Sequence, residues 1–97
     1  MSTLSTISKT NGTVSAERDG QSVPLPQAVS HAFSICPFDV VVTGVITEDT
    51  LIVHDLLRIE SEDQRHTPAL LRRKTLEELF TRFFVLPSLK LIETAAA

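Results

Sequence analysis

The chain has no tryptophan, no tyrosine, one cysteine and three glycines in 97 residues. Its five phenylalanines, at 33, 38, 80, 83 and 84, must therefore supply all of the aromatic packing. The lone Cys36 excludes an intramolecular disulfide, and a metal centre would need His or carboxylate ligands brought from elsewhere. His31, His54 and His66 stand at no metal-ligand spacing, so no metal site is expected. Gly12 and Gly20 follow Asn11 and Asp19 and read as turns, which leaves no glycine-rich phosphate loop. No Ser or Cys has a His and an acid at the spacing of a nucleophilic triad. No run approaches the roughly 20 apolar residues that span a bilayer, and the opening residues lack the apolar stretch of a signal peptide. A basic excess is missing as well. The net charge of −3 argues against a dedicated nucleic-acid surface and leaves Arg72-Arg73-Lys74 as a local basic spot. These absences predict one small cytoplasmic domain with no membrane contact and, at most, weak DNA binding.

What is present is enough apolar material, 42% of residues, to build a packed core. Residues 1–20 are polar, with a weak hairpin expected around Asn11-Gly12 at an edge of the sheet. Leu25, Ala28, Val29, Ala32 and Phe33 recur at helical spacing, with Pro24 and Pro26 at the entry. The unbroken Val40-Val41-Val42 predicts a buried strand over 39–47. A second strand over 50–59 places Leu51, Val53, Asp55, Leu57 and Ile59 on one face, and His54 with Ile52 and Leu56 on the other. Thr67 as N-cap and Pro68 at the first helical position open a helix whose stripe is Leu76, Leu79, Phe80, Phe83 and Phe84. Residues 88–93 alternate like a last strand. The predicted order is β-β-α-β-β-α-β, an α+β layout of mostly antiparallel strands with two helices, with 1–6 and 95–97 disordered.

Asp55 interrupts an apolar strand face, and a buried carboxylate needs a donor or a cation. Arg72 and Arg73 lie one turn before Leu76 and flank its stripe. The expectation is an ion pair between Asp55 and one of these arginines, tying strand to helix.

The ordered set of residues from Glu17 onward resembles the adenylation (nucleotidyltransferase) domain of ATP-dependent DNA ligases, in its central and C-terminal part. Glu17-Arg18-Asp19-Gly20 stands at the family's S-R-x-G turn, and Thr43-Gly44-Val45 at its D-G-E. His54-Asp55-Leu56-Leu57 stands at F-D-L-L. Pro68, Arg72-Arg73 and Leu76-Glu77-Glu78-Leu79 follow the P-x-x-x-R-R-x-x-L-E-x-L pattern. The resemblance implies a single partial nucleotidyltransferase (ATP-grasp-like) domain over 1–97, of a family that seals DNA nicks in repair and recombination using ATP and Mg2+. It places nucleotide contacts at Thr43, Gly44, Val45 and His54, and a nick-phosphate contact at Arg18.

The chain also departs from that pattern. The nucleophilic lysine of K-x-D-G and the later phosphate-binding lysines are missing, and Lys9-Thr10-Asn11-Gly12 resembles the former only superficially. Valine at 45 cannot ligate a divalent ion where the family has glutamate. The resemblance thus implies a truncated pseudoenzyme with no catalytic residue and no ligase activity alone. The alternatives are a non-catalytic interaction module that associates with itself, or one half of a split ligase completed by a second chain.

Overall fold

A computed structural model describes residues 4–92; the ends expected to be disordered lie outside this range, except that the first strand already begins at Ser5. Nine elements follow in order: β1 (Ser5–Thr10), β2 (Thr13–Arg18), β3 (Gln21–Ser22), α1 (Gln27–Ile35), β4 (Val40–Ile46), β5 (Leu51–Ile59), β6 (Glu62–Asp63), α2 (Ala69–Arg82) and β7 (Leu89–Leu91). The class is α+β: a mixed seven-stranded sheet with two helices. Six strands lie antiparallel in the order β3-β2-β1-β4-β5-β6, and β7 pairs parallel with the first half of β5. The two-residue strands β3 and β6 are additions to the expected order. Each is the return arm of a tight turn, too short to leave an alternating pattern in the sequence.

The Asn11-Gly12 hairpin forms, but its first strand is not at an edge. Asn11 (φ 51°) and Gly12 (φ 81°) give the two-residue turn whose twist matches paired strands, and Asp19-Gly20 repeats it. β1 then runs between β2 and β4, with Ile7 opposite Ala16 on one side and Val42 on the other. Its polar residues disguised it. Ser5, Ile7 and Lys9 all face the covered side of the sheet and are buried, the two polar ones because each finds a hydrogen-bond partner.

β5 departs from simple alternation. Its pairing with β4 slips between Val41/Val42 and between Thr43/Gly44, so Leu57 and His54 are extra residues in two bulges. The buried set is consequently Leu51, Val53 and Leu56, and not a face shared by Leu51, Val53, Asp55 and Leu57. β4 keeps its alternation: Val40 and Val42 are buried, whereas Val41 is only half-buried.

Both helices cover one face. α1 starts after Pro26, later than expected, so Leu25 precedes it and Val29, Ala32 and Phe33 carry its buried stripe while Ala28 is exposed. In α2 the N-cap is Pro68 rather than Thr67, and no side chain caps the helix. α2 ends at Arg82, one residue before the Phe83-Phe84 pair assigned to its stripe. The rings still pack: Phe84 meets Phe33 and Phe80, each at 5.3 Å between centroids, and Phe83 meets Phe38 edge-on at 5.2 Å. With Ile7, Val42, Leu51, Val53, Leu56, Leu76 and Leu79 they form one core between sheet and helices. Among the described residues no helix is long and apolar enough to cross a membrane.

Candidate functional site

Three of the segments singled out by the resemblance meet across β4, β5 and α2, and the Glu17–Gly20 turn lies apart from them. Thr43 pairs with Asp55 on one side and Thr6 on the other; Gly44 pairs with Val53, and Val45 with Ile52. Alternation turns Thr43 and Val45 to the face away from the helices, where both remain half-exposed. Gly44 faces the covered side at the bulge. A Cβ there would overlap the Ile52 carbonyl oxygen and approach Leu51 Cδ1 to 3.0 Å, so backbone approach, not ligand contact, explains the glycine.

The bulge at His54 sets Asp55 out of step with Leu51 and Val53 and presents its carboxylate to α2. Arg72 Nε donates to Asp55 Oδ1 at 2.9 Å, and Arg72 Nη1 donates to the Thr67 carbonyl at 2.6 Å. The same carboxylate oxygen accepts the Leu56 backbone N–H at 2.8 Å. Arg73 takes a different partner, the Ile92 carbonyl, with Glu77 a further 3.6 Å away. Thus one arginine holds the first turn of α2 to β5, and the other holds it to the end of β7. His54, Asp55, Ala69, Arg72, Arg73 and Leu76 line an open pocket of about 210 Å³. The straight-strand expectation put His54 and Asp55 on opposite faces; the bulge brings both to this pocket.

Asp55 is partly solvent-exposed, with 37% of its side chain accessible, so screening reduces what the pair contributes. Removing it still strands the part-buried Arg72 and the Leu56 N–H. Asp55→Ala is expected to cost about 1–2 kcal/mol in urea denaturation, against less than about 0.5 kcal/mol for the exposed Asp49→Ala. Equal small losses would mean the pair does not tie strand to helix.

Other candidate residues lie elsewhere. Arg18 is at the far side of the sheet, its Nε donating to the buried Ser5 Oγ at 3.1 Å. Lys9, only 6% exposed, donates from Nζ to the Phe38 carbonyl at 3.0 Å on the helix-covered side. Cys36 is buried beside it, and burial pushes its thiol pKa up, partly offset by the Phe38 carbonyl contact and by Lys9. A thiol so placed is a poor nucleophile.

One cleft went unread in the sequence. Val41, Leu57 and Arg58 with Ser61, Asp63 and Arg65 line a cavity of about 250 Å³ beside the β5–β6 turn. Arg65 grips Asp63 through Nε at 3.0 Å and Nη2 at 2.6 Å, and this holds the Asp63 carboxyl well below the usual carboxylate range. The only sequence signal was the pair of opposite charges two residues apart after a β-strand. Among the described residues no group of three or more His, Cys, Asp or Glu is placed to hold a metal ion. Compared with known proteins, the chain matches no family model, no curated protein and no solved structure.

Proposed function

We propose that the chain is a nucleotidyltransferase-like scaffold without nucleotidyl-transfer chemistry of its own, a degenerate relative of the DNA ligase adenylation domain that serves in assembly. The observation that carries this reading is convergence. Three segments, Thr43-Gly44-Val45 and His54-Asp55 on the paired strands β4 and β5 and Arg72-Arg73 on α2, lie side by side through strand pairing and the Asp55–Arg72 contact. They are segments that carry the resemblance to the adenylation domain.

The residues at the chemically decisive positions do not support adenylation. Transfer of an AMP group needs a nucleophile within reach of the α-phosphate and charge to neutralise the pyrophosphate. Lys9 points into the covered side and is held by a carbonyl, so its amine does not reach the face that bears Thr43 and Val45. Thr43 and Val45 offer one hydroxyl and no carboxylate for Mg2+. Arg18 is occupied by Ser5.

The test is incubation with α-labelled ATP and Mg2+, followed by denaturing electrophoresis. No covalent protein–AMP adduct is expected from the chain alone. A labelled band that Lys9→Ala abolishes would overturn the proposal.

The assembly role has its own support. Both helices cover one sheet face, and the other carries the half-exposed apolar residues Val41, Val45 and Ile52. A complementary ligase half that restored adduct formation on mixing would convert the scaffold reading into that of a split enzyme.

A further inference from the structure

Asn11 is the single asparagine of the chain, and it precedes Gly12 at the tip of the β1–β2 hairpin. Both residues are exposed, and both have positive φ, 51° and 81°, as the two-residue turn demands. The ladder closes by pairing Thr10 with Thr13 and passes over the two turn residues. Among the described residues the Gly12 N–H and the Asn11 side-chain amide have no hydrogen-bond partner. A Cβ built at Gly12 would meet nothing within 4 Å, so the space around the turn is open. The Asn11 backbone N–H, by contrast, is held. It donates to Asp39 Oδ1 at 3.1 Å, and this contact ties the hairpin tip to the residue before β4.

A backbone nitrogen that follows an asparagine can close a five-membered ring on its side-chain carbonyl, an intramolecular reaction favoured by proximity. From the free amide, the free N–H and the open surroundings we infer that Asn11-Gly12 is a site of spontaneous deamidation in the folded chain. The Gly12 nitrogen gives its proton to solvent and bonds to Asn11 Cγ; the Cγ–Nδ2 bond breaks and ammonia leaves, giving a succinimide. Glycine has no side chain beside the attacking nitrogen to hinder the closure. Water then opens the ring. Hydrolysis at the former side-chain carbonyl leaves aspartate; hydrolysis at the main-chain carbonyl leaves isoaspartate, whose main chain runs through Cβ. No oxidant or reductant takes part. Either product adds a negative charge at the residue whose N–H the Asp39 carboxylate accepts. Isoaspartate also lengthens a turn that two residues close. The hairpin tip is thereby released from the start of β4. The similar turn at Asp19-Gly20 can only isomerise, through loss and return of water, with no change of mass. The inference stands on the Asn11 turn alone, and holds whether or not the adenylation-domain reading does.

The test is intact-mass spectrometry of the folded full chain during incubation in mildly alkaline buffer, beside the same chain in denaturant and beside Asn11→Gly. Gly-Gly suits the same turn, so this variant keeps the hairpin while lacking the amide, and circular dichroism checks its fold. The folded native chain is expected to gain about 1 Da, the change from NH2 to OH, in a fraction that grows with time. Asn11→Gly is expected to gain none. Peptide mapping is expected to place the change at Asn11, as aspartate and isoaspartate, and carries the test alone if the variant fails to fold. The modified species, separated by ion exchange, is expected to unfold at lower urea than the native chain. A folded native chain that keeps its mass would overturn the inference, and a gain confined to the denatured chain would show that the turn protects Asn11. So would an equal gain in folded Asn11→Gly, or a modified species as stable as the native one, count against it.

Discussion

Gly44→Ala is expected to cost the fold about 3 kcal/mol, lowering the melting midpoint by about 12 °C or more in a chain of this length. The cause is backbone against side chain. The new methyl group would collide with the Ile52 carbonyl oxygen, and that carbonyl is fixed by the β4–β5 ladder. Leu51 Cδ1, the third nearest atom, can rotate away, but the carbonyl cannot without opening the bulge. The substitution separates two explanations of the glycine. A residue kept for nucleotide contact would lose little stability on gaining a methyl group, whereas one kept for close strand approach loses much. Differential scanning calorimetry of Gly44→Ala beside Thr43→Ala distinguishes them. A shift of the same small size in both would remove the close-approach account.

Phe33→Ala should cost still more, about 3–5 kcal/mol, the usual range for emptying a fully packed aromatic site. Phe33 is completely buried and rests on Phe84, which rests in turn on Phe80, so one ring from α1 locks the α2 end of the core. With no Trp or Tyr elsewhere, no other large ring can move in to fill the space. A domain of this size has about 5–15 kcal/mol of stability in total, so the variant should be largely unfolded in modest urea. Phe38→Ala, at a half-buried ring, should lose clearly less. If the two variants unfold at the same urea concentration, the ring stack is not the keystone of the helix layer.

How much of this was legible in the sequence differs from element to element. The β4–β5 pair and both helices were visible, because period-2 and period-3.6 patterns are strong where one face is buried. β1 was misjudged because burial there includes Ser5 and Lys9. Their partners, Arg18 and the Phe38 carbonyl, come from 13 and 29 residues away, and no local pattern announces such a match. The face of β5 was misread for a related reason. A bulge changes the parity of every residue after it, and only the partner strand shows where it falls. The contact between Asp55 and an arginine was inferable from the cost of an unpaired carboxylate, although the choice of Arg72 over Arg73 was not. That choice depends on where β7 ends, since Arg73 is taken up by the Ile92 carbonyl.

β7 has a consequence for how the molecule assembles itself. β1–β2 and β4–β5 join through short turns, and such neighbours find one another within microseconds. β7 must instead reach across α2 to lie parallel to β5, the one parallel pairing among the described strands and a kind that no tight turn can make. During synthesis the outer edge of β5 at Leu51–Val53 stays bare until Leu89–Leu91 and the helix before them have left the ribosome. Closure of the sheet is thus the late event, and a stalled or clipped chain would present that bare strand to whatever lies nearby.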